Sequence, residues 1–187
     1  TYGAAAVAAG GEVLLRGICP SDLKVPLEEF QKAGAAVDAD EENCQIRICM
    51  RKRPLPLLIK TEPYPGFPTD LQSPFMAFLA TAQGTSYIEE QVFEGRFATA
   101  KILEQMGAVI RTENQRAVIE GHYPLKGAAV NACDLRGGAA LMVAALAAEG
   151  DTFIGECHHI ERGYEDICRD MAALGAHIRW VENDFTR

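Results

Sequence analysis

Read for polarity alone, the chain alternates between wholly apolar stretches and amphipathic ones, and the alternation recurs three times. Ala5-Ala6-Val7-Ala8-Ala9-Gly10-Gly11 precedes Glu12-Val13-Leu14-Leu15; Met76-Ala77-Phe78-Leu79-Ala80-Thr81-Ala82-Gln83-Gly84 precedes Thr85-Ser86-Tyr87-Ile88; and Ala144-Ala145-Leu146-Ala147-Ala148-Glu149-Gly150 precedes Asp151-Thr152-Phe153-Ile154. Each pattern predicts an apolar helix stopped at glycine and then a strand, because glycine adopts the left-handed cap conformation at little cost.

A second motif repeats downstream. Leu27–Ala35, Ile102–Ala108 and Met171–Ala176 each carry an amphipathic spacing closed by Gly-Ala, which predicts an outer helix with one buried stripe. Strands are expected after them at Ala36-Val37-Asp38, Val109-Ile110-Arg111 and His177-Ile178-Arg179. In the first two copies a further alternating strand follows, Gln45–Ile48 and Ala117–Ile119, across turns that carry Glu42-Asn43 and Glu113-Asn114.

The repeating unit therefore reads strand, helix, strand, helix, strand, strand. Its opening strand falls at Leu57-Leu58-Ile59 in the second copy and Ala128-Ala129-Val130 in the third; the first copy has none after Thr1, so the chain is expected to be a piece of a longer protein. The units run over about 1–50, 54–120 and 124–187, with breaks at Arg51–Pro54 and Gly121–Pro124. Breaks this short suggest one domain built of three subunits. A helix apolar on all sides is buried on all sides. Three such helices inside a shell of strands and amphipathic helices make an α/β fold turned inside out, a barrel with helices at its axis.

Composition narrows the function classes. The 187 residues are 48% hydrophobic and 24% charged, enough to build a core, and the formal net charge is -8. That sign argues against nucleic acid or an anionic membrane as the main partner, although a local arginine cluster can still bind a small anion. The six cysteines contain no Cys-x-x-Cys pair and no zinc spacing, which fits reduced cytosolic thiols and no metal site. No signal peptide is recognisable, and the longest apolar stretch, Ala139–Ala148, is too short to span a bilayer.

The three copies act as internal controls, because positions that only build the fold should agree. Before the apolar helix the second copy has Pro65-Gly66-Phe67-Pro68-Thr69-Asp70 and the third has Cys133-Asp134-Leu135-Arg136. Either aspartate suits a helix N-cap. Three prolines, at 63, 65 and 68, stiffen the second copy beyond what a cap needs. Arg136 at a helix start opposes the helix dipole, a conflict that a bound anion would remove. Before the amphipathic helix stand Phe93-Glu94-Gly95-Arg96 and His159-Ile160-Glu161-Arg162, where the first copy has Cys19-Pro20-Ser21-Asp22 and no arginine. Surface ion pairing would account for Arg96 and Arg162. The matching positions suggest instead that Arg96, Arg136 and Arg162 converge with Asp70 and Asp134 on one mouth. Guanidinium forks suit phosphate and carboxylate groups, and an aspartate suits deprotonation of a hydroxyl. His158 reads as a strand-end or cap histidine, whereas His159 is open between such a role and titration in the site.

These motifs, Pro65–Gln72, Phe93–Phe97, Asp134–Arg136 and His159–Glu165, occur in an order that resembles the UDP-N-acetylglucosamine 1-carboxyvinyltransferases of the enolpyruvyl transferase family. The resemblance covers essentially the whole chain, and its first and last motifs are the specific ones. It implies transfer of enolpyruvyl from phosphoenolpyruvate to the 3-hydroxyl of UDP-N-acetylglucosamine, the committed step of peptidoglycan synthesis, with no metal or organic cofactor. It implies that Asp70 meets that hydroxyl as base and that Val92, through its backbone, and Phe93 line the uridine site. Arg136 and Arg162 would hold phosphate and carboxylate, with Arg96 and Asp134 completing the charged floor. The sister enzyme acting on shikimate 3-phosphate, and a non-catalytic binding module of the same fold, are the alternative readings.

The resemblance also implies a second, N-terminal domain that carries an acid cysteine, a Lys-Asn pair and another arginine; none of the six cysteines here matches that loop, so the chain alone is expected to lack turnover. Gly95 stands where the family commonly has Asn, and it is expected to loosen Arg96.

Overall fold

The computed structural model describes residues 1–181. Three helices lie at its centre: α1 (Tyr2–Ala9), α3 (Gln72–Leu79) and α5 (Leu135–Leu146). Each packs against the other two. Every residue of α3 is buried, as are Gly137–Ala144 of α5. Phe30, Phe67, Phe75 and Phe78 knit the centre together, with neighbouring rings 4.6–5.8 Å apart. Burying each phenylalanine is worth roughly 1.5–3 kcal/mol, so this cluster is a main source of the fold's stability.

Around the helices lie four small sheets. In the first unit β1 (Glu12–Arg16), β3 (Gln45–Cys49) and β2 (Ala36–Asp40) pair antiparallel in the order β1-β3-β2. In the second, β4 (Leu58–Lys60) runs parallel to β5 (Thr85–Glu89), which continues antiparallel into β7 (Arg116–Glu120) and β6 (Val109–Glu113). The third repeats the parallel step, β9 (Ala129–Asn131) against β11 (Phe153–Gly155), and adds a short pair, β8 (Leu125–Lys126) with β10 (Ala148–Glu149). The outer helices are α2 (Lys24–Lys32), α4 (Ala98–Gln105) and α7 (Ile167–Ala173), with one short turn of helix, α6 (His158–Glu161). Helices inside and sheets outside make this the inside-out α/β architecture read from the repeats.

The Gly-Ala closures explain why three outer helices end alike. Gly34, Gly107 and Gly175 all have φ between 86° and 97°. In each case the glycine N–H donates to the carbonyl three residues back, and the following alanine N–H donates to the carbonyl five back: Ala35 to Phe30, Ala108 to Leu103 and Ala176 to Met171. This double bond pattern satisfies otherwise orphaned carbonyls and turns the chain outward.

Two sequence expectations are corrected. Only α1 stops at a glycine, Gly10, with φ 70°; α3 and α5 end at Leu79 and Leu146, before Gly84 and Gly150, with alanines at their C-caps. The last carbonyls of α3 are met by the N–H groups of Ala80, Thr81 and Ala82, and Arg53 then donates to the Thr81 and Ala82 oxygens of the turn that follows. His177–Arg179 form no strand. Strands β2 and β6 are each held by the antiparallel strand that follows them, and no such partner pairs with 177–179 among the described residues. No helix among the described residues is long and apolar enough to cross a membrane.

Candidate functional site

The loop ahead of α3 is positioned by its one large apolar residue. Phe67 is 3% exposed and meets Phe75 edge-on, while Glu62 N–H donates to the Phe67 carbonyl and Gly66 N–H to Pro63. A side chain at Gly66 would collide with Glu62, its Cβ falling 2.4 Å from the Glu62 Cβ. The anchored loop delivers a single turn of 3-10 helix, Thr69–Leu71, and holds Asp70 in solvent over the start of α3.

Asp70 and Asp134 occupy matching places in the repeat and do different work. Asp134 is an N-cap: its backbone is extended and its carboxylate accepts the Gly137 N–H at 2.6 Å. Asp70 caps nothing. Its Oδ1 accepts from Arg136 Nε at 2.5 Å and from Arg96 Nη2 at 3.2 Å. The arginine that opposed the α5 dipole is thus neutralised by an anion after all, and that anion is the carboxylate of the preceding repeat. Hydrogen bonding from Arg136, its charge and that of Arg96 hold the Asp70 carboxyl below the usual aspartate range, against partial desolvation.

Arg96 is the most constrained of the three. Its Nη1 donates to Thr69 Oγ1 at 3.0 Å, Gln72 Nε2 donates to its carbonyl, and its guanidinium lies 4.8 Å from the centre of the Phe93 ring. Gly95 is left-handed, with φ 68°, and the Arg96 side chain beside it is 19% exposed. Asp70, Phe93, Arg96, Thr99, Asp134 and Arg136 line one open cleft of about 450 Å³.

Other expected residues sit elsewhere. Arg162 is exposed and does not line this cleft. It belongs to a segment folded onto the beginning of α5, where Gly163 abuts Leu135 and Gly138 abuts Ile160. Val92 is also outside the lining, and its N–H is bound by Glu90. The rings of His158 and His159 stack 4.0 Å apart in α6, with His158 Nδ1 3.4 Å from Glu156. Among the described residues no group of His, Cys, Asp and Glu has the arrangement of a metal site.

Sequence reasoning missed Glu90 and Thr69. Glu90 is 1% exposed, and its two oxygens receive hydrogen bonds from Thr61, Thr69, Val92 and Phe93. The signal was the period-two alternation of β5 and its continuation: Ser86, Ile88 and Glu90 point inward, while Thr85 and Tyr87 are exposed and Glu89 is half-buried.

Chemically, two guanidiniums share one carboxylate oxygen at the cleft mouth. The pairing leaves positive charge for a phosphate or carboxylate, and a guanidinium engages either in a forked geometry. An anion that draws the arginines away from Asp70 also removes what depresses its pKa, and so makes it a better proton acceptor.

The architecture and the charged cleft define an enolpyruvyl transferase-type domain, and sequence comparison agrees. The family model described as EPSP synthase (3-phosphoshikimate 1-carboxyvinyltransferase) matches residues 1–171, and the chain belongs to that family. Within it, similar curated proteins are UDP-N-acetylglucosamine 1-carboxyvinyltransferases. The protein of Desulfofundulus thermocisternus is 46% identical over 179 residues, covering 95% of this chain and 72% of that protein. Enzyme 3 of Caldanaerobacter subterraneus subsp. tengcongensis is 45% identical, covering 95% of this chain and 42% of its own length. Enzyme 1 of Legionella pneumophila is 44% identical, covering 98% and 36%. The chain therefore spans well under half of the latter two.

Among solved structures, the enolpyruvyl transferase NikO from Streptomyces tendae superposes with a TM-score of 0.83 at 28% identity, over 94% of this chain and 42% of that one. EPSP synthase from Acinetobacter baumannii shares the fold, with a TM-score of 0.70 at 18% identity over 97% and 43%.

Proposed function

We propose that the chain is the half of a UDP-N-acetylglucosamine 1-carboxyvinyltransferase that receives the sugar hydroxyl and the anionic end of phosphoenolpyruvate. The observation that carries this reading is Asp70 held between Arg96 and Arg136 on an open cleft, in a chain 44–46% identical to proteins of that name. Residues 1–187 are taken as one three-unit domain, a reading that the mutual packing of α1, α3 and α5 supports.

In the reaction, phosphoenolpyruvate is protonated at its methylene carbon and the adjacent carbon becomes electrophilic. The sugar 3-oxygen adds there, Asp70 takes the hydroxyl proton, and the tetrahedral intermediate expels phosphate while its methyl group gives up a proton to restore the double bond. Arg136 binds the anionic end of phosphoenolpyruvate, and Arg96 and Asp134 complete the floor; Arg162, outside the cleft lining, shares that role only on the strength of the family resemblance. Fixed guanidiniums give the developing negative charge the stabilisation it needs. Phe93 and the backbone of Val92 border the nucleotide. The acid that protonates the methylene belongs to a second domain of the longer enzyme, so this chain alone binds without turnover. On this reading the enzyme acts in cytoplasmic peptidoglycan precursor synthesis, with no role for nucleic acid.

Isothermal titration of the chain with UDP-N-acetylglucosamine and, separately, with shikimate 3-phosphate tests the assignment. Heat from the first ligand alone is the expected result. Heat from the second alone assigns the chain to the sister reaction, and binding of neither ends the proposal.

A further inference from the structure

Glu90, the residue just after β5, lies in the interior with four neutral partners. Oε1 accepts from Thr61 Oγ1 at 2.8 Å, Val92 N at 3.0 Å and Phe93 N at 3.1 Å; Oε2 accepts from Thr69 Oγ1 at 2.9 Å. The direction of both hydroxyl bonds is settled by what else the hydroxyls touch. Thr61 Oγ1 receives the Gln91 N–H at 2.9 Å, and Thr69 Oγ1 receives Arg96 Nη1 at 3.0 Å. Each hydroxyl therefore has its own proton left for Glu90.

The two oxygens serve different parts of the cleft. Oε1 closes the turn at Val92–Phe93. Oε2 fixes Thr69, which orients Arg96, which in turn reaches Asp70 at 3.2 Å. A buried carboxylate surrounded only by donors is tolerated because both of its oxygens are hydrogen-bonded. Removing one acceptor leaves a buried donor unmet, which costs more than the bond itself contributed.

We propose that Glu90 is a positioning residue: one buried carboxylate that sets the Val92–Phe93 turn and, through the Thr69 hydroxyl, the Arg96 guanidinium in a fixed mutual arrangement. It touches no substrate. The naming of the two segments as nucleotide edge and anion site rests on the function proposed above; the mechanical link between them does not.

Glu90→Gln separates the two halves of the link. Its amide oxygen replaces Oε1, where three donors point, and its NH2 then faces Thr69. Thr69 can no longer donate there, its proton turns elsewhere, and one oxygen must then accept from both the amide and Arg96, which weakens its hold on Arg96. Thr69→Val breaks the same link one step later, and Thr69→Ser preserves it.

The test uses this chain without ligand. Nitrogen-15 relaxation of the Arg96 Nε–H bond reports guanidinium order directly, on the picosecond-to-nanosecond scale. The expected result is an ordered guanidinium in the wild type and in Thr69→Ser. Order falls in Glu90→Gln and is lost to the same, larger extent in Thr69→Val and in the double variant, while the Val92 and Phe93 amides of Glu90→Gln stay as ordered as in the wild type. The proposal is overturned if Arg96 keeps its order in Thr69→Val, or if the double variant loses more than Thr69→Val alone. It is also overturned if Glu90→Gln frees the Val92–Phe93 turn and leaves Arg96 fixed. Should Glu90→Gln fail to fold, the Thr69→Val and Thr69→Ser pair still decides. None of these readouts involves substrate, so failure here leaves the substrate assignment standing, and failure to bind UDP-N-acetylglucosamine leaves this link standing.

Discussion

Arg136 Nε lies 2.5 Å from Asp70 Oδ1, although 66 residues separate the two along the chain. The contact joins the second repeat to the third at the mouth of the cleft and occupies Arg136 in the resting site. Because it holds the folded Asp70 pKa below the aspartate reference of 3.8, it contributes stability that is fully present above that reference. The contribution disappears as pH falls through the lower folded value. Asp70→Asn lacks it at every pH. Thermal melts from pH 6 to pH 2 are expected to show the stability gap between wild type and Asp70→Asn closing only below about pH 4. Asp40 and Glu89 also have lowered values, but they are common to both proteins and cancel. The gap is small, because Asp70 is 58% exposed and exposed pairs contribute little.

Asp134 gives a cleaner stability effect. It caps the longest helix, α5, through the Gly137 N–H. Asp134→Ala is expected to cost about 1 kcal/mol, and Asp134→Ser to recover most of it, since a hydroxyl also caps. Urea denaturation of the three proteins checks this. If both variants lose equally, the carboxylate matters for its charge rather than as a cap.

Gly138 is where α5 receives the segment that carries Arg162. An alanine Cβ there would fall 2.4 Å from Ile160 Cγ1, and Ile160 is itself 1% exposed. The roughly 1 kcal/mol that alanine gains over glycine in a helix is outweighed by overpacking of about 1–3 kcal/mol. Gly138→Ala is therefore expected to lower the denaturation midpoint and to shift the amide resonances of 159–164. Adding Ile160→Ala, which deletes the colliding Cγ1, should restore part of the resonance shift.

Cysteine reactivity should follow burial. Cys168 is 8% exposed and desolvation raises its thiol to about 11, whereas Cys19 and Cys44 are exposed. At pH 7.5 iodoacetamide is expected to alkylate Cys19 and Cys44 first and to spare Cys168 until the chain is unfolded, as mass spectrometry would show.

Much of the fold was legible because it is written three times. All-apolar Met76–Ala82 and Ala139–Ala148 announced central helices, and the Gly-Ala pairs announced where outer helices end. Apolar composition alone does not say where a helix stops, so Gly84 and Gly150 misled. His177–Arg179 has strand chemistry, but a strand needs a neighbour that local sequence does not supply.

At the cleft, the charged motifs were visible, but their division of labour was not. Asp70 and Asp134 look equivalent on paper; the difference lies in which arginine reaches which carboxylate, a matter of tertiary placement. Glu90 was hidden for the same reason. Its hydroxyl donors, Thr61 and Thr69, lie 29 and 21 residues earlier in the chain, and Glu89-Glu90 reads locally as a solvated acidic pair.

The three central helices form a closed triangle, and Tyr2 in α1 donates to Asp170 in α7, sealing the first repeat to the last. A linear array of repeats can melt from an end, because its terminal copies have one neighbour each and need special caps. A ring has no terminal copy. Losing any one of the three central helices here strips a face from both others, so the repeats stand or fall together.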